Sequence, residues 1–172
     1  MFFPPVFIMM EESPRVQKAR SFFMEGYNCC QSVLMAFSDI LRLEPQKLAR
    51  LGSGFGGGFA RMREVCGCVS GMTLVAGAIS PADNPQDKEC RARNYALVQN
   101  LAGEFKERQG SIVCRELLGL RAGTPQESPV PSDRTPQYYH SRKCADFVAC
   151  AAQILEKQLI NMTADSVLEG QH

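Results

Sequence analysis

Between Ser13 and Leu155 the apolar residues recur at intervals of three and four, in runs opened by capping residues and closed by glycine. A chain written this way can bury one stripe of each segment only as a helix, because strands would need alternation at every second residue. No segment shows that alternation, so the expected fold is all-α: a helical bundle of about six to seven helices, with a glycine-rich loop before a buried small-residue helix. Ser13-Pro14 supplies an N-cap and a proline at the first helical position, followed by Val16, Ala19, Phe22 and Phe23 up to Gly26. Asn28, with Gln31 three residues on, forms a capping-box pattern ahead of Val33, Leu34, Phe37, Ile40 and Leu41. Cys29 and Cys30 therefore fall in the first turn of the second helix. Pro45 opens a third helix, with Leu48 and Leu51 inward and Gly52 as its stop.

Residues 52–58, GSGFGGG, read as a tight or flexible turn, and Val65 to Ile79 as a buried helix of small and apolar residues. Gly67 and Gly71 share a face of that helix, where the missing side chains predict the close approach of another backbone or a bound group. A long amphipathic pattern spans 86–109. Ser111 is placed to cap a short helix bearing Cys114, Leu117 and Leu118. The Pro-, Ser- and Gly-rich stretch from Gly119 to Pro136 is a surface loop, and Ser141 is placed to cap a last helix with Cys144, Phe147, Val148, Ala151, Ile154 and Leu155 on its buried side. The expected organisation is an apolar tail at 1–12, a single domain at 13–160 and a tail at 161–172.

Nineteen basic residues are balanced by eighteen acidic ones, which gives no footprint for nucleic acid or an anionic membrane. The opening MFFPPVFIMM lacks a basic lead and a small-residue cleavage site, and no later run is long enough to span a bilayer; these features predict a cytoplasmic protein. The compositional outlier is eight cysteines. A chain of 172 residues has core enough to fold without disulfides, so cysteine in a cytoplasmic setting points to redox or metal-thiolate chemistry. Cys29 and Cys30 lie at a helix N-terminus, which favours a thiolate. Cys66 and Cys68 flank a glycine. Cys114 precedes Arg115 and Cys144 follows Arg142 and Lys143, cations that would favour ionisation, whereas Cys90 and Cys150 read as core fillers. GSGFGG matches G-x-G-x-x-G, but a helix rather than a strand precedes it, so a backbone nest bordering the cysteine site is expected in place of a dinucleotide site. His140 reads as a surface loop residue, and no pair of carboxylates is set apart for acid–base work.

The segment G-Y-N-C at 26–29, the stretch GFGGGFARMREVCGCVSG at 54–71, and the single Cys114 and Cys144 together resemble the C_GCAxxG_C_C family of redox-active proteins, over about residues 15–157. The resemblance implies a helical protein with oxidoreductase- or transport-associated roles, and carries the four family cysteines onto Cys29, Cys66, Cys114 and Cys144, with Gly67 and Gly71 in the CGAxxG motif. Cys68 replaces the alanine of that motif, and Cys30 stands where small residues are usual. Two readings follow from these thiols. In the first, a thiolate among Cys29, Cys66, Cys114 and Cys144 attacks a disulfide or accepts electrons and a second one resolves the intermediate, with Cys29 favoured for the attack and Cys66 or Cys68 for the resolution; its partner would be a redox protein or a small-molecule oxidant or reductant, and a homo-oligomer is compatible. In the second, Cys29, Cys66, Cys114 and Cys144 hold an iron–sulfur cluster or zinc. A third reading is a small-anion binding module built on the loop, with Gly56, Gly57, Gly58, Gly67 and Gly71 bordering the site.

Overall fold

A computed structural model of the chain describes residues 12–125 and 127–169. The apolar prefix and His172 lie outside them. Nine α-helices occur among the described residues: α1 Pro14–Met24, α2 Cys29–Ala36, α3 Ser38–Leu41, α4 Pro45–Gly52, α5 Gly67–Ile79, α6 Lys88–Gln109, α7 Cys114–Leu117, α8 Pro136–His140 and α9 Cys144–Glu169. There are no strands among the described residues, in keeping with the all-α expectation. The segment 161–169, expected to be tail, is helical.

The helix starts are where the capping chemistry placed them. The Ser13 side chain accepts from the Val16 N–H with Pro14 in the first turn. Asn28 and Gln31 complete the capping box reciprocally. Asn28 Nδ2 also donates to the Gly52 and Ser53 carbonyls at 3.2 and 3.1 Å, and Gln31 Nε2 to the Ala49 carbonyl at 2.8 Å. The start of α2 is thus bolted to the end of α4, whose last carbonyls would otherwise lack partners. Central α2 packs against α1, α4, α5 and α9. Phe23, Phe37, Phe105, Leu34, Leu48, Met72, Ile154 and Leu155 fill the core between these helices.

Several sequence expectations need correction. The second helix breaks at Phe37, where Arg15 Nη1 takes the Ala36 carbonyl at 3.1 Å and also pairs with Asp39 at 2.6 Å. Leu51 is 60% exposed, because α4 is only a two-turn helix with its buried line on Leu48 and Gly52. Val65 is not helical: it forms an isolated antiparallel bridge with Val113, and α5 begins at Gly67. The short helix α8, capped by Thr135, precedes α9, so Ser141 closes α8 rather than opening the last helix, and His140 ends that helix instead of sitting in a loop. Cys90 is not a core filler. It sits half-buried in the first turn of α6, where Arg93 Nη2 lies 2.8 Å from its sulfur.

The glycine-rich segment is wound rather than slack. A 3-10 turn covers Ser53–Phe55, after which Gly57, Gly58, Phe59, Ala60 and Arg61 run consecutively through left-handed conformations, with Arg63 also left-handed. A left-handed non-glycine residue costs about 1–2 kcal/mol, so Phe59, Ala60, Arg61 and Arg63 persist only because their surroundings hold them. The holding contacts are backbone bonds across the turn, from Ala60 N–H to the Gly54 carbonyl, Arg61 to Gly56, Arg63 to Gly57 and Glu64 to Gly58.

Candidate thiol site

Each family cysteine stands at a helix start: Cys29, Cys114 and Cys144 are the first residues of α2, α7 and α9, and Cys66 is the N-cap of α5. All four line a single cavity of about 40 Å³, together with Gly57, Gly58, Gly67, Arg63, Arg134, Tyr138 and Arg142. That volume is room for a water or two, or for the end of a slender substrate.

Three close approaches bring the stations together. The α2–α5 contact runs over Gly67 and Gly71. A Cβ at Gly67 would stand 3.1 Å from Cys29 Cβ and 3.0 Å from the Phe55 carbonyl oxygen, and one at Gly71 would stand 2.9 Å from Val33 Cβ. The partner that fills the glycine face is therefore the start of α2 itself. The Val65–Val113 bridge draws Cys66 toward Cys114, with Cys66 N–H donating to the Ile112 carbonyl at 2.8 Å and Cys114 N–H to the Glu64 carbonyl at 2.6 Å. Gly58 then presses on that bridge, since a Cβ there would meet Cys114 Cβ at 2.7 Å. Gly56 has the same relation to Asn28, at 2.7 Å from its side-chain nitrogen. α9 brings Cys144 in by packing on α1, α2 and α5.

The thiols differ in exposure and in the surroundings that shift their ionisation. Cys29 is partly exposed, whereas Cys66, Cys68, Cys114 and Cys144 are buried. Hydrogen bonds from the Cys144 and Cys68 thiols hold the Cys29 sulfur well below the ordinary thiol range, and the positive Arg134 guanidinium adds to the effect. Cys144, donating to Cys29, is pushed well above that range. Cys68 is raised by burial, and its bonds to Cys29 and Cys66 act the same way. Burial pushes Cys30 up to about 12 and Cys114 up to about 11. The cationic neighbours in sequence do not ionise Cys114 or Cys144. Arg115 is spent on the Arg63 carbonyl at 3.2 Å and on the Glu64 carboxylate, while Arg142 lies over the Tyr138 ring, 4.7 Å from its centroid. Arg63, 8% exposed, is the cation that reaches Cys114, with Nη1 at 3.8 Å from its sulfur.

Arg63 and Arg134, which border the cavity, carry no mark in the sequence, whereas Arg142 does through its nearness to Cys144. Arg63 is fixed by Glu127 through Nε at 2.7 Å and Nη2 at 2.6 Å, and Arg61 joins the same carboxylate at 2.5 Å. Arg134 stacks on Phe23 and Tyr138, at 4.8 and 4.7 Å from the ring centroids, and donates to the Tyr27 carbonyl at 3.3 Å. Glu127 and Arg134 come from the proline-rich loop, whose composition carries no mark of a site. Cys150 is buried in the core as expected. Among the described residues no group of three or more His, Cys, Asp or Glu side chains is arranged to hold a metal ion, and no helix is long and apolar enough to cross a membrane.

Fold and site together define an all-helical protein with four of its eight cysteines gathered at helix starts around one small cavity. The family model described as "Putative redox-active protein (C_GCAxxG_C_C)" matches residues 27–158, and the chain belongs to that family. No curated protein and no solved structure matches it.

Proposed function

We propose that the protein is a thiol–disulfide redox protein in which Cys29 is the attacking thiolate and Cys144 the resolving thiol. The observation that carries this reading is the placement of Cys29: partly exposed on the cavity that Cys66, Cys114 and Cys144 also line, with Cys144 and Cys68 the thiols that lower its pKa most. A nucleophilic thiol must be both ionised and reachable; the lowered pKa of Cys29 favours the first, and its partial exposure on the cavity favours the second. Of its two thiol neighbours, Cys144 lines the cavity and Cys68 does not. Cys144 thus suits the resolving role better than Cys66 or Cys68, leaving Cys68 as a buried hydrogen-bond donor to the thiolate.

In the cycle, the Cys29 sulfur attacks one sulfur of a substrate disulfide, forming a mixed disulfide and releasing the other half as a thiolate that takes up a proton. Cys144 then loses its proton and attacks Cys29, releasing the second half as a thiol and leaving a Cys29–Cys144 disulfide. The substrate gains the two electrons that the protein dithiol loses. Arg134, beside Cys29, steadies negative charge at the attacking sulfur.

The test is peptide mapping of the reduced full-length protein after treatment with one equivalent of 2-hydroxyethyl disulfide. The expected product is a Cys29–Cys144 cross-link, with trapping of the mixed disulfide at Cys29 in Cys144→Ser. Protein purified without oxygen that carries stoichiometric zinc, or shows sulfide-to-iron absorption, with Cys29 shielded from alkylation, would overturn the reading in favour of a metal-thiolate protein.

A further inference from the structure

Outside the thiol cavity lies a second, larger pocket of about 300 Å³, lined by Asn28, Gly56, Gly57 and four arginines, Arg61, Arg63, Arg134 and Arg142. It shares Asn28, Gly57, Arg63, Arg134, Tyr138 and Arg142 with the thiol cavity, so the two form an outer chamber and an inner one. No carboxylate lines the outer chamber. Glu127 answers Arg61 and Arg63 from one side and offsets only one of the four charges.

The other two arginines form no salt bridge with a carboxylate among the described residues: Glu127 acts on Arg142 only through space, and Arg134 faces the Cys29 sulfur. Arg134 and Arg142 both place their guanidinium carbons 4.7 Å from the centroid of one ring, that of Tyr138. Two like charges on one ring repel each other, and the ring's attraction offsets that only in part. Moreover, Arg134 Nη1 is buried with no hydrogen-bond partner, an unusual condition for a guanidinium nitrogen. The surplus is local, since the whole chain carries a formal charge of only +1.

Resting on the thiol-redox reading above, we infer that this outer chamber is a subsite for the anionic group of the substrate, which is a small disulfide carrying a carboxylate or an equivalent anion. Arg142 and the free Nη1 of Arg134 bind that anion, and its sulfur end reaches through the shared wall to Cys29. Guanidinium suits the role because its fork matches a carboxylate and it remains charged at any working pH. The exchange itself is unchanged: the Cys29–substrate sulfur bond forms as the substrate S–S bond breaks, and the anion serves only to position the reacting end. Arg142 is a positioning residue.

Three disulfides of similar size separate charge from reactivity: 3,3′-dithiodipropionate with two negative charges, 2-hydroxyethyl disulfide with none, and cystamine with two positive charges. Rates at Cys29, followed by mass spectrometry of its peptide in the full-length protein, are divided by the rates of N-acetylcysteine amide with the same reagents. The corrected rate for dithiodipropionate should exceed that for the neutral disulfide by about tenfold or more, with cystamine the slowest, as expected for a charge-assisted contact. The preference should shrink in Arg142→Gln, return in large part in Arg142→Lys, and fall for the unaltered protein as NaCl is raised. Equal corrected rates for all three disulfides, above that of the reference thiol, would sink the anionic subsite and leave the thiol reading standing. Rates no faster than the reference with every reagent would bring down both. A preference that survives both Arg142→Gln and high salt would also overturn the assignment.

Discussion

Two glycines in α5 make a matched pair for testing how the site is held together. Alanine at Gly77 would project into open space, and Gly77 is exposed, so the substitution should gain the full difference in helix propensity, about 0.8–1 kcal/mol. At Gly71 the same propensity gain is opposed by a Cβ placed 2.9 Å from Val33 Cβ, 3.1 Å from Val33 Cγ1 and 3.3 Å from the Cys30 carbonyl oxygen. Val33 is fully buried in α2 and has no room to swing away, so α2 itself must move. Overpacking of this kind costs roughly 1–3 kcal/mol, which leaves Gly71→Ala up to about 2 kcal/mol less stable than the unaltered protein and about 1–3 kcal/mol below Gly77→Ala. With a urea slope of about 2 kcal/mol per molar, the two denaturation midpoints should differ by about 0.5–1.5 M. Because α2 carries Cys29, its displacement also loosens the bonds from Cys144 and Cys68, and the pH midpoint for alkylation of Cys29 should rise. If Gly71→Ala is as stabilising as Gly77→Ala and leaves the alkylation profile of Cys29 where it was, the glycine face does not set the position of the attacking thiol.

Three further outcomes follow from the site. Iodoacetamide should modify Cys29 at pH values well below the ordinary thiol range while Cys30 and Cys114, raised to about 12 and about 11, stay protected; Cys144→Ala should shift that profile upward, and an unchanged profile would refute the hydrogen-bond origin of the thiolate. Because its folded-state pKa is depressed, Cys29 contributes stability that is present above the unfolded thiol value of about 8.5 and is lost as pH falls through the lower folded value, so the urea midpoint of the unaltered protein relative to Cys29→Ala should drop on acidification, and a gap that widens instead would contradict the assignment. Glu127→Gln would leave the guanidinium of buried Arg63 without its countercharge, lowering stability by about 2–3 kcal/mol and the melting temperature by about 4–12 °C; a shift under a degree would show that the pair is merely superficial.

Most of the framework was legible because capping is local chemistry. Ser13, Pro14, Asn28 with Gln31, Pro45, Gly52 and Gly110 mark their helix ends within a few residues of sequence, and no distant contact overrides them. The distribution of Cys29, Cys66, Cys114 and Cys144 over four helices points to their convergence on one site, but the sequence does not carry its cause. The Val65–Val113 bridge is a single residue pair with no periodic signature, and the left-handed course of Phe59, Ala60 and Arg61 contradicts what those residue types prefer in isolation. The charge logic failed for a related reason. Arg115 and Arg142 are next to cysteines in the chain, yet the cations that matter to the sulfurs, Arg63 and Arg134, approach from a turn and a loop whose positions depend on tertiary packing.

Cys29 and the thiol that sharpens it, Cys144, sit near opposite ends of the described domain, on α2 and α9. A ribosome therefore delivers the proposed nucleophile long before the thiol proposed to activate it. Until α9 docks, Cys29 lacks the largest of the interactions that lower its pKa and has only those of Cys68 and Arg134. The last long helix to be made supplies the largest of these interactions, so on the thiol-redox reading a chain cut short by truncation or proteolysis before Cys144 would lose both that interaction and the resolving thiol.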